Sequence, residues 1–298
     1  MDLQEAVEQA ISQTSGHPFG PSRREWSGGG CINEAWRLDD GARRFFVKVN
    51  RAERADMFAA EAAALEELAA AGALRVPRPL VHGRHGGGAF LVLEHLDLTS
   101  RASEAGHRRL GEGLAALHRH TAEAHGWGRD NYIGSTPQPN DRHPEWPTFF
   151  CEQRLRHQLR LAAGRGGNAL AEPGERLAEG IGALFTNYRP APSLLHGDLW
   201  GGNAAFLAGD EPVVYDPATY YGDRETDLAM TELFGGFHPV FYDAYRAAWP
   251  LDPGYAVRRD LYQLYHILNH YVLFGGGYLR QARGLMERLL VELGGRPR

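Results

Sequence analysis

The sequence predicts an α+β chain in two lobes, a small β-rich N-terminal lobe with one main helix and a larger, mainly helical C-terminal lobe. Three observations point there. Short apolar runs bounded by turn residues fill the first third of the chain, and long helical segments dominate after residue 100. Inside the helical part, two short apolar runs each end at a turn that carries an aspartate. A chain of 298 residues with 43% hydrophobic residues is long enough to bury a sizeable core.

Residues 2–13 have helical character, and Ser15, Gly16 and Pro18 end the run. Residues 32–38 and 45–49 read as strands flanking a turn at Asp39, Asp40 and Gly41, which suits a hairpin. Residues 54–71 are rich in alanine, leucine and glutamate and stop at Gly72, the pattern of a helix with high intrinsic propensity. Residues 79–83 and 89–94 read as two more strands, separated by the turn His85-Gly86-Gly87-Gly88. From about Arg101 the helical segments lengthen: 104–124, 146–163, 174–188 and several after Arg224. Among them lie the two apolar runs, Ser193-Leu194-Leu195 and Pro212-Val213-Val214-Tyr215. A β-rich lobe with one main helix, then a larger helical lobe, is the order of a protein-kinase-like bilobal fold. The boundary falls near residues 96–100, giving an N-terminal nucleotide-binding lobe of residues 1–96 and a C-terminal catalytic and substrate-binding lobe of residues 97–298.

Composition narrows the function classes. A net charge of -5 argues against a nucleic-acid partner, which a strong basic excess would announce. No apolar stretch approaches the roughly 20 residues that span a bilayer. The first residues, MDLQEAVEQAISQTSG, lack the basic start and apolar run of a signal peptide, so the expected location is cytoplasmic with no membrane partner. Cys31 and Cys151 are too few for a disulfide framework and lack metal-ligand spacing. Lysine and arginine together number 32, yet Lys48 is the single lysine. A compact ammonium and a planar guanidinium are not interchangeable, so Lys48 is expected to do something arginine cannot.

The strongest chemical signal is His196-Gly197-Asp198-Leu199-Trp200-Gly201-Gly202-Asn203. Its His-x-Asp-x-x-x-x-Asn spacing is that of a kinase catalytic loop, in which the aspartate accepts the hydroxyl proton and the asparagine holds magnesium. Phosphoryl transfer needs an aligned nucleophile and neutralised charge, which a carboxylate and a metal ligand on one loop can supply. Asp216, in Tyr215-Asp216-Pro217, ends the second apolar run, where protein kinases place a magnesium-binding aspartate. Pro217 and Ala218 stand where a protein kinase has Phe and Gly, which argues against a switchable activation segment. Lys48, in Phe46-Val47-Lys48-Val49, resembles the strand lysine that contacts the α- and β-phosphates. A charge between valines needs a partner, and Glu61 is the natural one, with Glu66 and Glu67 as alternatives. Gly28, Gly29 and Gly30 suit a turn whose amides cover phosphate, and Cys31 beside them is a candidate reactive thiol. Glu94, His95 and Leu96 fall where the hinge should be, offering backbone groups to adenine. Trp200 could stack on a sugar or fill the core, the sugar being favoured, and His270, four residues after His266, is expected on the substrate side rather than at a zinc site. Arg224 and Asp227 are expected to brace the segment after Asp216, and residues 262–278 to be mostly core.

These motifs, with Gly134-Ser135-Thr136-Pro137-Gln138, Tyr220-Tyr221-Gly222, Leu228-Ala229-Met230-Thr231 and Leu233-Phe234-Gly235-Gly236-Phe237, resemble the fructosamine kinases over nearly the whole chain. The resemblance implies that the tryptophan after Asp198-Leu199 and the Tyr-Tyr-Gly and Phe-Gly-Gly-Phe segments are marks of this family, since the related aminoglycoside and choline kinases share the His-Gly-Asp loop. Gly201 stands where many relatives carry serine. The resemblance implies ATP and magnesium as cofactors and phosphorylation of the C3 hydroxyl of ketosamines, after which the product decomposes and releases the amine. Ribulosamines, erythrulosamines and fructosamines, on small amines or protein lysines, are the implied substrates, and bacterial members are similar in favouring the first two. Another small-molecule kinase of the same fold, acting on an aminoglycoside, choline or a sugar, is the alternative. A catalytically inactive scaffold is disfavoured because Lys48, Asp198, Asn203 and Asp216 are all present.

Overall fold

Asp2 starts the first helix, α1 (Leu3–Ser15), through a capping box: its carboxylate accepts the Glu5 amide and the Glu5 carboxylate accepts the Asp2 amide. Gly16 ends it in the left-handed region. In the computed structural model, which describes residues 1–27 and 32–294, α1 belongs to the first of two compact units, Met1–Gly106 together with Ala204–Asp216. The second comprises His107–Asn203 and the chain from Pro217 onward.

The first unit is built on one antiparallel sheet. Its strands are β1 (Arg23–Trp26), β2 (Glu34–Asp39) and β3 (Arg44–Arg51), then, after helix α2 (Ala55–Ala71), β4 (Pro79–His85) and β5 (Gly88–Glu94). They lie in the order β1-β2-β3-β5-β4. The turn between β2 and β3 closes on its own side chains, with Asp39 accepting the Gly41 amide and Asp40 the Ala42 amide. Side chains alternate across a strand. Trp36 and Leu38 of β2, Val47 and Val49 of β3, and Phe90 and Val92 of β5 therefore share one face and pack on Val7 and Ile11 of α1. Each fully buried aliphatic side chain there is worth about 1.5–3 kcal/mol. The same alternation turns Lys48 to the opposite face. Helix α2 begins only after a 3-10 turn at Ala52–Arg54 and stops at Gly72, whose φ is 64°.

The second unit is mainly helical. Helix α3 (Glu104–His118) is shorter than the predicted 104–124, because the chain beyond it turns to pair with the segment around Ser193, Thr121 bridging Ser193 and the Ala122 amide donating to Pro192. A hairpin, β6 (Asn131–Ile133) and β7 (Thr136–Gln138), turns at Gly134, φ 61°. The helix predicted over 146–163 is helical throughout, as α4 (Trp146–Phe149), a π-helical stretch Phe150–Arg156, and α5 (His157–Gly164). The segment predicted over 174–188 forms α6 (Ala171–Gly180) and then a 3-10 turn, Ile181–Phe185. Strand β8 (Ser193–Leu195) follows. The chain then supplies β9 (Ala204–Phe206) and β10 (Pro212–Val214) to the first unit, where Thr99 pairs with Phe206 and Arg75 with Val213. Back in the second unit, β11 (Tyr220–Gly222) pairs antiparallel with β8. Helices α7 (Glu225–Glu232), α8 (Pro239–Ala248), α9 (Tyr255–Phe274) and α10 (Tyr278–Glu292) complete it. Helix α9 buries Leu261, Tyr262, Leu264, Tyr265, His266, Ile267 and Leu268, every side of its middle turns, as a central helix must. The sheet of the first unit and the helices of the second give the α+β organisation read from the sequence, and no helix among the described residues is long and apolar enough to cross a membrane.

Two histidines of the second unit are held neutral. Burial, reinforced by the neighbouring His270, pushes His266 down to about 3, and burial, reinforced by His143, pushes His125 down to about 4. A histidine with a depressed native pKa contributes stability that is present above its unfolded value near 6.5 and is lost as pH falls toward the native value. Stability of the wild-type protein should therefore decline between pH 6.5 and 4. The His266→Gln variant should decline less steeply there, by up to about 1.4 kcal/mol per pH unit. Denaturant titrations at stepped pH check this, and parallel curves for the two proteins would refute it.

Candidate active site

In the first unit, Lys48 lies in β3 opposite Ala35 of β2 and Leu91 of β5, with its side chain only 8% exposed. Its ammonium donates to the Glu61 carboxylate of α2 at 2.5 Å and pairs with Asp216. Burial alone would lower the Lys48 pKa, but the charges of Asp216 and Glu61 outweigh it and hold the ammonium above its ordinary value. On Glu61, burial and the nearby Asp216 charge raise the carboxyl against the pull of Lys48. Of the three glutamates considered as partners for Lys48, the structure selects Glu61. Asp216 follows β10, which is pinned where the Val214 amide donates to Arg75. It has φ 57°, an unfavourable region for a residue with a side chain and more so before a proline, and its side chain is 47% exposed. Such strain costs on the order of 1–3 kcal/mol and persists where its surroundings impose it.

Glu94, His95 and Leu96, expected at the hinge, fall at the end of β5. Glu94 is its last residue, and its carboxylate is already committed, accepting from Arg75 at 2.6 Å and from the Arg78 amide at 2.6 Å. His95 pairs with Asp97 at 3.1 Å. The peptide groups of His95 and Leu96 fall beyond the strand. Gly28, Gly29, Gly30 and Cys31 lie outside the described residues.

In the second unit, β8 delivers the chain into the loop 196–203. The buried carboxylate of Asp227, on α7, accepts the amides of His196 and Gly197, each at 2.8 Å, and His118 Nε2 lies 3.1 Å away. Burial would raise the Asp227 pKa, but the hydrogen bond and charge of His118, with the loop's own groups, pull it below the ordinary value. Gly197 has φ 84°, and a Cβ there would stand 2.1 Å from the Ala218 carbonyl oxygen. Ala218 returns its amide to the His196 carbonyl at 2.9 Å. Asn203 Nδ2 donates to the Asp198 carbonyl at 2.9 Å and lies 3.4 Å from the Asp198 carboxylate, which leaves its Oδ1 as the oxygen able to meet a cation. The structure thus joins Asp198 and Asn203 in one loop and Lys48, Glu61 and Asp216 in one charged cluster.

Trp200 is 39% exposed and meets the Phe234 ring edge-on, and Phe234, 41% exposed, lies 4.6 Å from the His270 ring. His270 also meets Phe274 and Tyr278. Trp200 and His270 are therefore parts of one exposed aromatic ledge, whereas His266 is buried. The part that two members of this site play is not the one the sequence suggests. Asp227 holds the 196–203 loop rather than the segment after Asp216, and Phe234, at φ 51°, links Trp200 to His270. Arg224 instead donates to Tyr245 and to the carbonyls of Trp249 and Pro250.

The chain is similar over nearly its whole length to known proteins. The family model for fructosamine kinase matches residues 3–292. A Synechocystis protein named as a probable ketoamine kinase is 49% identical over 287 residues, covering 96% of each chain. A crystal structure from Haemophilus somnus, provisionally named a fructosamine-3-kinase, superposes with a TM-score of 0.88 at 31% identity, covering 95% of this chain and 96% of that one. At the level of fold alone, an aminoglycoside phosphotransferase in ternary complex with AMP-PNP and hygromycin B gives a TM-score of 0.66 at 17% identity, covering 97% of this chain and 99% of that one.

The brace on the 196–203 loop generates a prediction. In Gly197→Ala, the added methyl must displace the Ala218 carbonyl and also adopt a strained φ. Turnover should fall at least about a hundredfold while the protein stays folded, since small displacements of reacting groups have effects of that size. Steady-state kinetics beside circular dichroism is the measurement, and near-wild-type turnover would show that the close approach is not needed.

Proposed function

The chain belongs to the fructosamine kinase family and is a phosphotransferase, and from that premise we propose that it transfers the γ-phosphoryl group of ATP to the C3 hydroxyl of ketosamines, with Asp198 as the base. The observation that carries the proposal is the loop in which the Asp198 and Asn203 side chains lie 3.4 Å apart on a backbone held by Asp227. Asp198 would take the hydroxyl proton, with its backbone held by the Asn203 side chain at the Asp198 carbonyl. Asn203 and Asp216 would hold magnesium, a fit supported by their chemistry: an amide oxygen and a half-exposed carboxylate are the hard oxygen donors this ion takes. Magnesium-ATP, when bound, supplies the phosphoryl group and the divalent charge that neutralises it. Lys48, steadied by Glu61, would neutralise the α- and β-phosphates, with Gly28, Gly29 and Gly30 covering them and Glu94, His95 and Leu96 presenting backbone groups to adenine.

Trp200 and His270 would face the sugar and its amine. A ketosamine carries a secondary ammonium beside its carbonyl, and aromatic faces attract such a cation by about 0.5–2 kcal/mol. The exposure of the ledge suits an amine that continues into a larger molecule, so adducts of free amines and of protein lysines are both proposed substrates.

ATP consumption by purified enzyme with ribulose-lysine, fructose-lysine, a glycated peptide, kanamycin and choline tests the reading. Ketosamines alone should support turnover, and a preference for kanamycin or choline would overturn it. With the preferred substrate, Asp198→Asn should lose at least about a hundredfold in turnover while ATP binding persists. Lys48→Arg should also lose most turnover without unfolding, because a longer, planar guanidinium cannot occupy the place of one ammonium against Glu61 and Asp216. Glu61→Gln should show a smaller defect of the same kind. A fully active Lys48→Arg enzyme, measured beside its thermal unfolding, would remove Lys48 from phosphate binding.

A further inference from the structure

We propose that the β6–β7 hairpin is a positioning device for the 196–203 loop, with Gln138 and Asn131 setting that loop through the carbonyls of Ala218 and Thr219. The inference rests on the assignment of the loop to phosphoryl transfer given above. Gln138 Nε2 donates to the Ala218 carbonyl at 3.1 Å, and Asn131 Nδ2 donates to the Thr219 carbonyl at 2.7 Å. Ala218 is the residue whose amide donates to His196 at 2.9 Å and whose carbonyl fills the space a Gly197 side chain would need. Its peptide groups are thus engaged by the loop and by the hairpin together. A shift of the hairpin amides must move Ala218, and Ala218 cannot move without the backbone on either side of Gly197.

The hairpin is itself held by a connected set of buried polar side chains. Asn131 Oδ1 accepts from Gln138 at 2.8 Å and from Asn140 at 2.8 Å. Asn140 Oδ1 accepts from Arg154 at 2.6 Å, and Gln138 Oε1 accepts from the Tyr265 hydroxyl at 2.5 Å. Arg154 comes from the π-helical stretch, is fully buried, donates also to the Pro139 carbonyl at 2.5 Å and the Gln153 carbonyl at 3.0 Å, and lies over the face of Tyr220 at 4.0 Å. Burying three amides and a guanidinium is costly compared with an apolar core of the same volume. What an apolar core cannot do is fix the direction of a particular carbonyl, and directional hydrogen bonds in a dry interior do this well. The cost and the geometry together mark the set as a device for placement, converging on Ala218, which touches the loop at His196 and Gly197.

The test uses Gln138→Met, which keeps the side-chain length and removes both donors, beside Leu177→Ala, a core truncation in α6 outside this set. Hydrogen–deuterium exchange without nucleotide should rise in peptides covering 196–203 and 217–222 in Gln138→Met and not in Leu177→Ala. Turnover on the preferred ketosamine should fall about 10- to 100-fold in Gln138→Met with the KM for ATP nearly unchanged, whereas folded Leu177→Ala keeps wild-type turnover. Unchanged exchange across 196–203, or unchanged turnover, overturns the positioning role. Because exchange is read without substrate, a wild-type enzyme that phosphorylates no ketosamine would sink the substrate reading while the exchange result still decides this one. If Gln138→Met does not fold, Asn131→Asp, which removes the donor to Thr219 at constant shape, carries the same two readouts with the same outcomes.

Discussion

The constraint on which the first unit is organised is the burial of one positive charge. A lysine ammonium in the interior of a sheet, left alone, costs on the order of 3–5 kcal/mol, a large share of the stability of a typical domain. The strand period fixes which face Lys48 takes, since Val47 and Val49 are committed to the apolar layer on α1. The charge must then be met from the other face. Glu61 comes from thirteen residues on, within reach of a strand and the helix that follows it. Asp216 comes from 168 residues on, and its arrival requires the chain to leave the first unit, build most of the second and return as β9 and β10. That excursion explains why a short pair of strands otherwise unconnected to the sheet belongs to this unit.

The second unit applies a related rule to a backbone. The loop 196–203 has no regular structure to satisfy its amides, and Asp227 accepts two consecutive ones from the side of the core. An ionised carboxylate is a stronger acceptor than a neutral group, and His118 keeps it ionised despite complete burial. On the loop's other flank stands Ala218, held in turn by Gln138. The aspartate and asparagine read as chemistry from the sequence are therefore displayed by residues that have no chemistry of their own to announce.

This accounts for what the sequence disclosed. The spacing of Asp198 and Asn203 is local, so it is written in consecutive letters, and Lys48 stands out because a charge between valines requires an explanation. Glu61 could be ranked first but not separated from Glu66 and Glu67, since helix phase against a sheet is a tertiary quantity. Asp227 reads as a brace for the nearby segment after Asp216, whereas its target amides lie some thirty residues upstream, beyond the reach of local pattern. Phe234 enters the sequence reading only within a motif, and its exposure and its backbone, in a region that aromatic residues rarely adopt, are set by the folded chain. The end of α3 at His118 was equally hidden, because the pairing partner that stops the helix, Ser193, is distant in sequence. Local periodicity gave the elements, and the misses are the places where a remote partner overrides it.

The same logic explains the use of cations across the chain. Arginine serves wherever a planar fork has a matching partner. Arg44 meets both oxygens of Asp97 at 3.1 and 3.0 Å, and Arg258 meets both oxygens of Glu225 at 2.7 and 3.0 Å while lying over the Tyr188 ring at 3.9 Å. Arg154 spreads its charge over carbonyls and aromatic faces. Each of these exploits delocalised charge and fixed donor directions. The position in β3 offers neither a flat surface nor a single bidentate acceptor. It offers two carboxylates from different elements converging on one point, and a compact ammonium with three rotatable donors is the cation that can meet both at once. A chain that places arginine at every other basic position keeps its one lysine where charge must be concentrated rather than spread.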